Sequence, residues 1–192
     1  MSDDFDPQGD YGEGGKNWDP PARGPHIFQL TECNVTNSKG GNKMLAIIAR
    51  VVNQDDSSFN RYVRDWFVYK REFYWKLQKL CLAVNPEMKG AGKGGLNAKS
   101  QTSVNAHLLG RCFVAVVNHR QNSYYKESTG GEVTNIQARL SYYQALNDGE
   151  ESLIMSQYGP DGPELPEEGG NGNGGGSSSG GGQGYSDDEI PF

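Results

Sequence analysis

Met44-Leu45-Ala46-Ile47-Ile48-Ala49-Arg50-Val51-Val52 is a long apolar run broken by one arginine. Read with the two-residue period of an extended strand, it puts Leu45, Ile47, Ala49 and Val51 on one face, and Met44, Ile48 and Arg50 on the other. One side therefore faces a core and the other is less strictly apolar. Immediately upstream, Asn37-Ser38-Lys39-Gly40-Gly41-Asn42 has turn composition, and before it Ile27, Leu30, Cys33 and Val35 mark a strand that begins near Gly24. The two runs read as a β-hairpin. After a polar loop over residues 55–60, a third strand over residues 61–69 holds Tyr62, Val63, Trp66, Phe67, Val68 and Tyr69.

The period then changes. Phe73, Leu77, Leu80, Cys81 and Val84 recur at the spacing of one helical face, and Asn85-Pro86 ends the helix. Residues 89–103 are rich in Gly, Lys, Asn and Ser and read as a flexible loop bearing Lys89, Lys93 and Lys99. Two more strands follow, over residues 111–118 and 133–142, linked across Tyr124, Tyr125 and the Gly130-Gly131 turn. The expected fold is mainly β: a five-stranded OB-fold barrel over residues 24–158, with one helix between strands 3 and 4. Leu153, Ile154 and Met155 are expected to add a last packed patch.

With 27 Gly and a 34% hydrophobic fraction, the 192 residues hold one domain and long polar tails. Residues 1–23 read as a disordered acidic arm and residues 159–192 as a disordered Gly-rich linker ending in an acidic tip. The charge is unevenly spread. Residues 1–23 carry six acids against Lys16 and Arg23, a net of −4, and residues 160–192 carry seven acids and no base. The middle is +5, with 16 basic against 11 acidic residues. A basic domain between acidic tails is the pattern of a polyanion binder whose tails recruit partners or compete for its groove. No apolar run approaches the ~20 residues that span a bilayer, and the start has acids where a secretory signal would be basic and then apolar, so a cytoplasmic location and no membrane partner are expected. Cys33, Cys81 and Cys112 have no CxxC spacing, and His26, His107 and His119 are scattered. Reduced, mostly buried thiols are expected, with no metal or other cofactor.

At the end of the chain, Asp187, Asp188, Glu189, Ile190, Pro191 and Phe192 place an aromatic residue and a carboxylate directly after an acidic cluster. Proline restricts its neighbours, so the tip offers an apolar pair and a carboxylate suited to a shallow pocket rimmed by Lys or Arg. It resembles the C-terminal tip of bacterial single-stranded-DNA-binding proteins, with Glu189 where that family usually has Asp. The resemblance implies docking of replication, recombination and repair proteins, and a linker of this length gives the tip a reach of about 30 Å. Residues 24–146 are also similar to a family of small phage proteins found among recombination and replication genes. That likeness rests on the turn over residues 36–43 leading into Met44-Leu45-Ala46-Ile47, on Trp66-Phe67 followed by a helix, and on Leu109-Gly110-Arg111 before a strand and Asn122-Ser123-Tyr124-Tyr125. It implies a phage protein acting in the bacterial cytoplasm. The chain lacks the N-terminal strand pattern of the chromosomal bacterial proteins, so their tetramer is not implied and homo-oligomerisation stays open.

A sequence-tolerant binder of single-stranded DNA needs cations along a groove and aromatic faces for stacking. The candidates are Lys39 and Lys43 at the first turn, Arg50, Arg61 and Arg64 on adjoining strands, Trp66 and Tyr69 on the third, and Tyr124, Tyr125 and Lys126 in the loop expected to border the groove. Trp66 suits core packing as well as stacking, Phe67 reads as core, and Tyr62 fits either. Lys70, Arg71, Lys76 and Lys79 read as the wet face of the helix. No Walker loop, HExxH, acidic metal cluster or paired nucleophile and base points to an enzyme. The alternative reading is an adaptor or decoy that does not bind DNA and uses the tip to engage host repair enzymes.

Overall fold

Alternation in the apolar run decides which side of the sheet becomes the core. In the computed structural model of the chain, which describes residues 16–88, 96–126 and 130–166, strand β2 (Lys43–Val51) turns Leu45, Ile47, Ala49 and Val51 into the main core. Met44, Ala46, Ile48 and Arg50 occupy the opposite, outer face. Strand β1 (Gly24–Asn37) pairs antiparallel with β2 through the predicted turn. There Ser38 N donates to Asn42 O at 2.8 Å and Gly41 N to Ser38 O at 2.9 Å. Gly41 has φ 78°, a left-handed conformation that a side chain would strain.

The sheet runs β3 (Tyr62–Val68), β2, β1, β4 (Cys112–Lys126), β5 (Gly131–Gln144), with every neighbouring pair antiparallel. β1 is central because both its edges are paired: Phe28 to Asn37 with β2 and Gly24 to Gln29 with β4, the two overlapping at Phe28 and Gln29. Thr31 is an extra residue in the β1–β2 register, set between Leu30 and Glu32. This bulge resets the alternation so that both Leu30 and Cys33 reach the core, which explains their three-residue spacing in the sequence.

Helix α1 (Tyr74–Val84) lays Leu77, Leu80, Cys81 and Ala83 over one end of that core. Phe28 and Phe113, both fully buried, stack with centroids 5.8 Å apart. Burying a side chain of this size contributes ~1.5–3 kcal/mol, so such residues dominate the stability of the sheet. As predicted, the helix ends at Asn85, which leaves helical geometry while its N–H still reaches Cys81 O at 2.9 Å. Phe73 departs from the predicted helical face. It lies in a 3₁₀ turn (Arg71–Phe73) and packs on the outer side with Met44, Val68 and Trp66.

The expected closed barrel with a single helix is corrected on three points. First, the five-stranded sheet is open, with no β3–β5 ladder among the described residues. Side chains join its edges instead. Inside, the Tyr143 hydroxyl on β5 donates to Asp65 on β3, and Lys76 of α1 pairs with the same carboxylate at 2.8 Å. Outside, the Arg139 guanidinium of β5 lies over the Trp66 ring of β3, 4.5 Å from its centroid.

Second, the described residues hold three α-helices. Helix α2 (Gln101–Leu108) begins inside the stretch expected to be loop; its polar sequence hides a short buried pair, Val104 and Leu108, one turn apart. Helix α3 (Asp148–Tyr158) starts on a capping box in which Asn147 accepts from Glu150 N at 3.0 Å and the Glu150 carboxylate accepts from Asn147 N at 2.8 Å. Ile154 is its one buried residue; it joins Ile27, Val52 and Val114 on the outer side of β1 and β4, while Met155 is exposed.

Third, Tyr124, Tyr125 and Lys126 belong to a strand. β4 and β5 continue past the sheet as a two-stranded ribbon to the pair Lys126↔Gly131. Parts of the expected tails are also bound to the domain: residues 16–23 and 159–166 make the contacts described below. Residues 1–15, the linker from 167 and the tip at residues 187–192 lie outside the described residues. No helix among the described residues is long and apolar enough to cross a membrane.

Candidate nucleic-acid interface

Register fixes what the outer face presents across β1, β2 and β3. Successive rows are Asn34–Ala46–Trp66, Glu32–Ile48–Arg64 and Gln29–Arg50–Tyr62. The chain's own terminal segments occupy the last two rows.

The N-terminal segment lies along β3. Tyr62 N donates to Asn17 O at 2.8 Å, and the Trp18 ring sits 5.9 Å from that of Tyr62. The Arg64 guanidinium lies over the Trp18 ring, 4.3 Å from its centroid, and Lys16 forms an ion pair with Glu32. Farther along, Arg61 donates to Pro20 O at 2.8 Å and Ala22 N to Ser58 Oγ at 2.8 Å. His26 is buried with Nδ1 2.6 Å from Asp56 and Nε2 2.7 Å from Ala22 O, while His119 Nε2 meets Pro21 O at 2.7 Å. The histidine, aspartate and serine thus act as a latch for the segment: the imidazole nitrogens are taken by acceptors, and Ser58 Oγ accepts from a backbone amide.

The C-terminal segment covers the neighbouring row. Gln29, 1% exposed, donates to Pro163 O, and Arg50 donates to both Gln29 Oε1 and Glu164 O at 2.9 Å. Arg50, Arg61 and Arg64 are therefore each engaged within the chain. Tyr69 is engaged too: it packs against the main core and its hydroxyl donates to Ala98 O. Burial, and secondarily the nearby Cys81 and Cys33, push that hydroxyl well above the usual phenol range.

The first row receives none of these terminal-segment contacts. Asn34 is exposed, Ala46 and Trp66 are half-buried, and Lys39 and Lys43 stand exposed at the rim where β1 turns into β2. On the other side of Trp66, Arg139 leads into the outer face of the β4–β5 ribbon. Arg139 donates to Gln137 at 2.9 Å, and the pairs Asn118↔Arg139 and Arg120↔Gln137 carry polar and basic residues toward Tyr124, Tyr125 and Lys126. On the outer side the Trp66 indole is backed by the Arg139 guanidinium, and Asn118 and Arg120 are exposed on β4, while Lys39 and Lys43 are exposed at the β1–β2 turn. Phe67 is core, 1% exposed.

Trp18 and Arg139 are the contributors that sequence reasoning missed. Trp18 is an isolated aromatic within the acidic arm, and the only local signal for Arg139 is the alternation along β5 that sets it on one face with Gln137. The three cysteines are free. Burial pushes the Cys33 thiol up to about 12 and those of Cys81 and Cys112 to about 11, so they are held protonated and inert. Among the described residues no cluster of His, Cys, Asp or Glu could hold a metal ion. No family model matches the chain, and no curated protein is similar to it.

Proposed function

We propose that the chain binds single-stranded DNA on this outer side, on an OB-type barrel whose β3 and β5 edges meet through side chains, and that it serves DNA replication, recombination or repair. One observation carries the reading: the Arg139 guanidinium lies over the Trp66 ring on the outer face, which joins an aromatic face and a cation in one place. Bases of any sequence have a π face, and phosphates of any sequence attract lysine and arginine, which makes the arrangement tolerant of sequence. The basic middle of the chain supports the same reading.

The acidic tip is the second half of the proposal, a dock for replication, recombination and repair proteins. The last described residues follow Glu164, whose carbonyl binds Arg50 on the outer face. The described chain ends two residues beyond Glu164, beside the proposed groove, and the five acids that follow compete there with DNA by intramolecular charge. The test is an anisotropy titration with a labelled homopolymer strand and with duplex of equal length at two salt concentrations. Single strands are expected to bind more tightly, with affinity falling steeply as salt rises. Equal binding to both forms, or none to either while the tip still captures repair proteins, refutes DNA binding and favours the adaptor reading.

A further inference from the structure

Helix α1 buries one face in the core, yet its first turn puts two large aromatic side chains in water. Trp75 is 61% exposed and Tyr74 is 48% exposed. Lys79 follows Trp75 by one turn of α1, and Arg71 stands in the 3₁₀ turn that leads into the helix; both are exposed, and neither forms an ion pair among the described residues. An exposed indole with cations nearby in the chain is a poor solvated face, because the ring has no burial to offset its exposure.

Its place in the fold ties it to the first row. Phe73, which precedes Tyr74, packs on the outer face in one cluster with Trp66. Phe73 thus joins the Trp66 cluster at the residue directly before the start of α1. We infer that Tyr74 and Trp75, with Arg71 and Lys79, form a second stacking site for single-stranded DNA, where a strand seated on Trp66 continues onto α1. This rests on the proposed DNA binding and extends its path. An acidic peptide would also be drawn to Arg71 and Lys79. Two exposed rings adjacent in the chain, directly after Phe73 of the Trp66 cluster, favour a strand of stacked bases, since successive bases need successive faces.

The test uses the full chain and labelled oligothymidylates of about 5 and about 20 nucleotides, which bracket the span of one groove. Trp75→Ala is expected to weaken the long strand about 5- to 100-fold, the loss of one base stack, while the short strand, held at Trp66, keeps its affinity. Trp75→Phe restores most of the loss. Lys79→Gln lowers the salt slope for the long strand by about one phosphate contact. Since Trp75 is exposed, these variants keep the fold, which circular dichroism checks. Wild-type affinity of Trp75→Ala for the long strand overturns the second site. So does a Trp75→Ala variant that loses only binding of a peptide copying residues 183–192. If the wild-type chain binds neither length, DNA binding itself is wrong, a result distinct from both.

Discussion

Tyr143→Phe removes one oxygen from the place where β3 and β5 meet without a backbone ladder. The Tyr143 ring packs 5.8 Å from Phe67 and 6.0 Å from Phe113, so phenylalanine keeps the packing and deletes only the hydrogen bond to Asp65. Asp65 is 2% exposed and retains Lys76 and its neighbour's Trp66 N, each at 2.8 Å. A bond from a neutral donor to a buried charged acceptor is worth ~1.5–3 kcal/mol. For a chain of this size that corresponds to a loss of about 3–12 °C in Tm. Urea unfolding gives the free energy, and hydrogen exchange gives the location: lost protection should centre on the β3 and β5 amides.

Burial, followed by the Asp65 charge and its hydrogen bond, pushes the Tyr143 hydroxyl well above 10. A raised folded-state value means that the bridge contributes fully below the ordinary phenol range of ~10 and is lost as pH climbs beyond it. The deficit of the variant should accordingly be flat between neutrality and that range, then shrink. Combining it with Lys76→Met should cost more than the sum of the two changes, because the carboxylate is then left buried with one backbone donor. A melting point within about 1 °C of wild type would show that the sheet edges do not depend on this bridge.

The thiols titrate in the same direction: with folded values of about 11 to 12 against 9 unfolded, they favour the fold below pH 9 and destabilise it as pH rises toward those values. Iodoacetamide at pH 8 should leave the native protein unlabelled and label all three sites in urea; rapid native labelling would contradict the burial. Trp66→Ala should weaken single-strand binding by ~1–3 kcal/mol and Lys39→Gln should flatten its salt slope by about one contact, whereas Arg50→Gln, already engaged by Gln29 and Glu164, should leave affinity near wild type. Tyr124→Ala and Tyr125→Ala are expected to cost ~1–3 kcal/mol per lost stack, and wild-type affinity in folded variants would remove the ribbon from the binding path. Deleting residues 187–192 should tighten DNA binding most at low salt, where the competing charge is least screened. Phe192→Ala should abolish capture of repair proteins with DNA affinity unchanged, and full capture by that variant would refute docking.

The local elements are legible in the residues alone. Strict alternation in residues 44–51 sorted β2 into a core and an outer face, helical spacing from Leu77 to Val84 located α1, and the Gly-rich turn joined β1 to β2. These follow from backbone periodicity and turn chemistry, which act over a few residues. Helix α3 was half legible: its capping box stands in Asn147 and Glu150, but a single buried residue leaves no periodicity to see. Helix α2 was hidden for the same reason. Only the tertiary structure decided which cations remain open. Arg50, Arg61 and Arg64 read as groove residues, but partners as far away as Glu164 and Trp18 engage them, and no local signal encodes a contact across a hundred residues. The same holds for Trp66, placed on the outer face by strand parity and paired with Arg139 because the two sheet edges curve toward each other. Whether an aromatic residue on a strand serves core or surface depends on what the rest of the chain packs against each face, and that is settled by the shape of the whole sheet.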